Sequence, residues 1–278
     1  MTRSSAPPHH ASALDALRLS AAPHLPLPGL SPEAYAEGHA LFEARSDQRA
    51  LLVEWLWARL RPRAGQPVRV LSVGCGDGSV DGVLAERLAA GGAPVRYDGV
   101  EPFAGSAARW RARLAAVEGV SSGVQQCVFA DAVTAGAYDV VVFVHSLYYV
   151  PDVGAALRAA RALLAPGGEL LVLHAPRAEL NALVEVLAPS TGGHPQWFSD
   201  TVTGALRGAG LAAEESRLHA RLDLTGADDR VLDFTVQAVL PRALRGPVLE
   251  HLRTVRLPDR VGVVVPHPLD AFVVGPVA

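Results

Sequence analysis

An α/β fold with a parallel sheet covered on both faces is predicted by three observations. Five short, near-continuous apolar runs have strand character, alanine- and arginine-rich helical segments separate them, and a glycine-rich turn follows the first run. The runs are "VRVLSVG" (68–74), "VRYDGVEP" (95–102), "VQQCVFA" (124–130), "YDVVVFVHS" (138–146) and "ELLVLHA" (169–175). The first three intervening helices are expected at 80–90, 104–117 and 152–164. "LAPGGEL" offers a Pro-Gly turn feeding the fifth strand.

The flanks read differently. Residues 1–30 are expected to be a disordered or extended tail, since "AAPHLPLPGLSP" (21–32) is a proline-rich connector. Residues 31–65 carry helical spacing interrupted near Ser46, which can cap a second helix. Leu51, Leu52, Trp55 and Leu56 would form its buried stripe. A core over 68–175 is followed by late helices and strands over 176–278. There, "EESRLHARLDL" (214–224) and "LDAFVV" (269–274) read as strands, with helical material near 227–255 between them. They suit late additions to the sheet, an antiparallel one among the options.

Composition narrows the function. Of 278 residues, 50% are hydrophobic, which supports a sizeable core. The formal charge is -3; the 25 basic residues are all arginine, none in a basic run, so nucleic acid is not an expected partner. Two cysteines, Cys75 and Cys127, are too few for a disulfide framework or a zinc site. The opening residues lack a signal-peptide pattern, and the longest apolar run, "VVVFV", is too short to span a membrane. A cytoplasmic protein without a metal is expected.

"LSVGCGDGSV" (71–80) carries the chemistry. Gly74, Gly76 and Gly78 are spaced G-x-G-x-G, and Ser79 stands where a dinucleotide fingerprint has its third glycine. That argues against a pyrophosphate cradle, and a chain without lysine has no P-loop. Glu101 ends the second strand, where a carboxylate can accept from both hydroxyls of a ribose. Asp131, in "FADA", is placed to meet the exocyclic amine of an adenine. A glycine turn and two acids on three successive strands describe an adenosine site without phosphates. S-adenosylmethionine fits it, with S-adenosylhomocysteine as product. Cys75, Pro102, Ala132, Val144 and His145 add to the expected cofactor lining.

With "LSVGCGDGSVD", "VEPF", "HSLYYVPD", "VLDF" and the terminal "DAFVV" in view, the chain resembles the class I methyltransferases. More specifically it is similar to histamine N-methyltransferase and its bacterial relatives, from about Tyr35 to Val274. The resemblance implies a Rossmann-like, seven-stranded, mostly parallel sheet and a small substrate-binding cap of N-terminal and late helices. It also implies a monomer. The segment 31–65 becomes a helical lid. Position by position, Ser106 stands for a cofactor-contacting glutamine, and Tyr35, Tyr148 and Tyr149 match aromatics of the amine pocket. Phe234 falls in "VLDF". His145 and Gln48 replace a glutamine and a glutamate that touch substrate, although a one-residue shift puts Asp47 at the second place. The late asparagine falls near His267 or Pro268.

His145, Tyr148 and Gln48 are thus the catalytic candidates, with His145 first as base or orienting donor. Tyr35, Gln48, His145, Tyr148, Tyr149, Trp197, Phe198, Phe234 and His267 are the substrate candidates; packing is the competing role for the aromatics. N-methylation of a small molecule other than histamine is the leading expectation. O- or C-methylation, a cofactor-using cyclisation, and a non-catalytic S-adenosylmethionine-binding subunit or sensor stay open.

Overall fold

The computed structural model describes residues 8–132, 136–178, 180–188, 190, 191 and 193–275. The chain forms two compact units. The larger takes Arg49–Ala175, Trp197–Leu218 and the chain from Leu269 on; the smaller takes the chain up to Gln48, Pro176–Gln196 and His219–Pro268.

In chain order the elements begin with α1 (Pro8–Ala21), α2 (Pro32–Glu43), α3 (Gln48–Leu60), β1 (Val68–Val73), α4 (Ser79–Ala89), β2 (Val95–Val100), α5 (Ala104–Ala115) and β3 (Val120–Gln125). Then come β4 (Tyr138–Val144), α6 (Val153–Ala162), β5 (Leu164–His174), α7 (Asn181–Leu187), β6 (Ser190–Thr191), β7 (His194–Pro195) and α8 (Ser199–Gly208). The chain continues through β8 (Ala213–Leu218), β9 (Arg221–Asp223), α9 (Asp229–Val236), α10 (Arg242–Thr254), β10 (Val264–Pro266) and β11 (Leu269–Val274).

The larger unit is built on a seven-stranded sheet of order β3-β2-β1-β4-β5-β11-β8. The strands from β1 to β5 are parallel, and β11 runs antiparallel to both of its neighbours. Alternation explains the continuous apolar runs. Val70, Val140 and Val142 join Leu84, Leu88 and Trp110 on one face; Leu71, Val141 and Phe143 join Leu157 and Val202 on the other. Strand order reverses between β1 and β4, so their C-terminal ends flank the place where such sheets bind ligands.

Several expectations shift. β3 lies at Val120–Gln125 instead of 124–130. It is an edge strand with little cover, and the apolar Cys127 and Phe129 that suggested a strand pack against the second core face from beyond its end. "LAPGG" is not a turn before β5 but an irregularity inside it, where the register against β4 shifts between Tyr138 and Val140. The run 214–224 divides: β8 joins the large sheet, while β9 pairs with β10 in the smaller unit. Leu51 is exposed, and α3 buries Leu52, Val53, Leu56 and Leu60.

In the smaller unit the expected tail carries α1, whose Leu17 and Ala21 are buried in its core. α1 packs on α10, and α2 on α9. Residues 8–24 are therefore structure, not tail; residues 1–7 lie outside the described residues. Among the described residues no helix is long and apolar enough to cross a membrane.

Candidate active site

The glycine turn leaves β1 with Gly74 at φ +67°, held by its N–H to the Val100 carbonyl at 2.8 Å. A Cβ there would fall 2.3 Å from the Cβ of Ser146, so this glycine is required by both backbone and packing. Gly76, at φ +57°, is different: a Cβ there would meet nothing within 4 Å. Its bare face is the approach a ligand can use. Gly78 precedes α4 and lies against Trp110. The Cys75 thiol is pushed well up by burial, so it is no thiolate nucleophile.

Glu101, just past β2, is 5% exposed. Its two oxygens accept the N–H groups of Gly76 and Phe103, each at 2.9 Å. The carboxylate thus sets the shape of the turn, and each oxygen keeps a lone pair for a further donor. Asp131 closes a short 3-10 turn beyond β3 and is exposed, with Ala132 after it; Pro102 is exposed and Phe103 is 67% exposed. The Ser106 hydroxyl accepts from Arg109 one turn on.

Two polar residues here escaped the sequence reading. Asp81, in the first turn of α4, is buried and accepts from Trp110 Nε1 at 2.7 Å and the Tyr97 hydroxyl at 3.1 Å. Burial pushes its carboxyl up to about 6 despite these donors. Trp110 in turn supports Gly78, so Asp81 braces the turn from below. Ser146 Oγ is buried beside Gly74 and has no hydrogen-bond partner among the described residues. Neither a buried aspartate nor an unpaired serine has a periodicity that announces it.

β4 ends at Val144, and His145 follows at φ +51°, unusual for a residue with a side chain. Its Nδ1 lies 3.1 Å from the Tyr148 hydroxyl. That hydroxyl accepts the Ala175 N–H at 3.1 Å, and the Tyr148 ring lies 4.1 Å from the ring of His174. His174 is fully buried; burial lowers it to about 3, and Nε2 donates to the Trp197 carbonyl. Trp197 Nε1 donates to the Val150 carbonyl. Tyr149 is 54% exposed and stands edge-on to Tyr148. Phe198, at the N-cap of α8, is 2% exposed and lies in the core.

The remaining substrate candidates belong to the smaller unit. Tyr35 stands edge-on to Phe234, Phe42 packs tilted against the same ring, and His267 is edge-on to Phe42. Gln48, the expected catalytic candidate, is buried, and its amide donates to the His267 carbonyl at 2.9 Å. His267 Nδ1 pairs with Ser46 Oγ at 2.8 Å, and burial lowers the ring to about 4. Asp47 accepts the Arg221 N–H. Among the described residues no cluster of histidine, cysteine or acid could hold a metal.

The sequence profile of the Methyltransferase domain family matches residues 44–216, more than half of the chain. The chain belongs to the class I S-adenosylmethionine-dependent methyltransferases. Among curated relatives, the ubiquinone biosynthesis O-methyltransferase of Xanthomonas axonopodis pv. citri is 37% identical over 43% of this chain and 47% of its own length. The nocamycin O-methyltransferase of Saccharothrix syringae is 34% identical over 59% of the chain and 65% of its own. The chain thus spans about half to two thirds of the length of these relatives. A solved structure of the plantazolicin methyltransferase BpumL, in complex with SAH, covers 97% of the chain and 98% of its own at TM-score 0.54 and 11% identity. The YcgJ protein of Bacillus subtilis covers 81% and 96% at TM-score 0.54 and 14% identity. Both share the fold.

Proposed function

We propose that the chain binds S-adenosylmethionine at the glycine turn and transfers its methyl group to an oxygen of a small molecule. The bare face of Gly76, beside the carboxylate of Glu101, carries this reading. The turn is open where the cofactor's adenosine must come close, and Glu101 retains acceptor capacity for ribose hydroxyls. Ser146 Oγ, without a hydrogen-bond partner among the described residues, supplies a hydroxyl for another polar group of the cofactor. When bound, the cofactor offers an activated methyl: the nucleophile's lone pair forms the new bond as the C–S bond breaks with its electrons retained on sulfur. The protein's part is alignment and exclusion of water. Oxygen is favoured over the nitrogen first expected because the curated relatives above carry O-methyltransferase names. Histamine is disfavoured, since Gln48 offers a neutral amide already engaged by the His267 backbone.

Titration calorimetry of the full chain with S-adenosylhomocysteine, with NAD as control, tests the cofactor half. The homocysteine compound should bind and NAD should not. Glu101→Gln, which preserves one oxygen, should weaken binding about 10- to 150-fold, the range of a charge-assisted hydrogen bond. Equal affinity in that variant would remove the ribose assignment.

A further inference from the structure

A backbone acceptor and a backbone donor, neither of which can change role, determine where the protons sit along the ends of β4 and β5. The Trp197 carbonyl can only accept, so His174 Nε2, 3.2 Å away, carries that ring's proton. The Ala175 amide can only donate, so the Tyr148 oxygen accepts from it. The phenol still has its own proton to place. Burial pushes the phenol well up, so the proton stays on it. Among the described residues, the other polar neighbour of that hydroxyl is His145 Nδ1, at 3.1 Å. The reverse arrangement, with Nδ1–H donating to the phenol, would leave the phenolic proton without an acceptor among the described residues.

We infer that Tyr148 donates its proton to His145 Nδ1, which fixes the neutral imidazole with its hydrogen on Nε2, so that His145 serves as a donor and not as the base. The consequence for substrate rests on the methyltransferase reading above. A donor at Nε2 suits an oxygen that arrives already ionised, a carboxylate or an acidic enol or phenol, and holds that oxygen by one charge-assisted hydrogen bond. Such a nucleophile has no proton to lose on methylation. An amine or an ordinary alcohol would need a base, and the tautomer denies His145 that role. The positive φ of His145 agrees with a ring held for position at some cost in backbone strain.

The tautomer is measured without cofactor or substrate. Long-range 1H–15N spectra of the uniformly labelled full chain at neutral pH report each histidine, and the His145 signals are those lost in His145→Gln. The expected pattern is a protonated Nε2 and a bare Nδ1. Tyr148→Phe should release the bias, so that Nδ1–H character grows, while Tyr149→Phe should leave the pattern unchanged. An Nδ1–H pattern in the wild type, or no change in Tyr148→Phe, would overturn the assignment. The substrate half uses a panel at neutral pH: carboxylic acids and phenols ionised there, phenols that are not, and primary amines. The ionised oxygen acids should react at least about a hundredfold faster, the least that general-base help would otherwise provide to the others. Amines reacting fastest, or no turnover of any ionised acid, overturns that half. Loss of S-adenosylhomocysteine binding in the wild type would count separately against the methyltransferase reading.

Discussion

The two units of the chain are made by different means. The larger is dominated by one stretch, Arg49–Ala175, in which β1, β2 and β4 are each followed directly by a helix, α4, α5 and α6. The smaller is gathered from three separated stretches, and its core joins Leu17 and Phe42 to Leu183, Val231 and Leu252. Local order gives the first unit its strand-end chemistry. In the second, even a buried polar contact such as Gln48 to His267 spans most of the sequence.

The largest expected effect is at the hinge of the larger unit. Gly74→Ala combines a left-handed backbone with a Cβ 2.3 Å from Ser146, and should destabilise by about 4 kcal/mol, adding strain to overpacking. Urea unfolding measures it; a loss below about 1 kcal/mol would mean that the turn relocates easily.

Acid should separate the units next. His174 in the larger unit and His267 in the smaller are lowered from 6.5, to about 3 and about 4. Each stays neutral in the fold while its unfolded form takes a proton below 6.5, so stability falls on acidification. Over the window from 6.5 to 4 each costs about 3 kcal/mol, at about 1.4 kcal/mol per pH unit. Asp81 works the other way in the larger unit. Raised from 3.8 to about 6, it binds its proton in the fold before the unfolded chain does, and returns about 3 kcal/mol as pH falls through that interval. Asp233, raised by its partial burial, acts in the same sense in the smaller unit. Hydrogen exchange followed from pH 6.5 to 4 should show the smaller unit losing protection first, and His267→Gln should narrow the gap. Equal loss in both units would break the comparison.

The smallest effect should be the same in both. Asp228 caps α9 in one unit by accepting the Arg230 and Val231 N–H groups, and Asp152 caps α6 in the other by accepting that of Ala155. Either aspartate changed to alanine should cost about 1 kcal/mol in a urea melt. A much larger loss at Asp228 would show its ion pair with Arg230 to matter beyond the cap.

The same contrast explains what was legible. β1, β2 and β4 were readable because their alternating apolar residues face two covered sides, and Gly74, Glu101 and His145 because they follow those strands directly. β3 was displaced because an edge strand needs no apolar run, while Phe129 gave one to a loop. α1 was hidden because its helical pattern is weak and Leu17 finds its partners far along the chain. Phe198 and Gln48 are buried, and sequence spacing alone does not say whether a side chain looks into a pocket or into the core.

The position of β11 between β5 and β8 has a consequence for synthesis on the ribosome. β8 is translated well before β11, yet among the described strands β11 is its ladder partner. Until residues 269–274 emerge, the nascent chain therefore carries two unpaired strand edges, on β5 and on β8, while α9 and α10 are still being added. Unpaired edges invite pairing with other chains. A pause in translation over the segment from β9 to β10 would prolong that exposure, and a slow stretch placed before β5 would not.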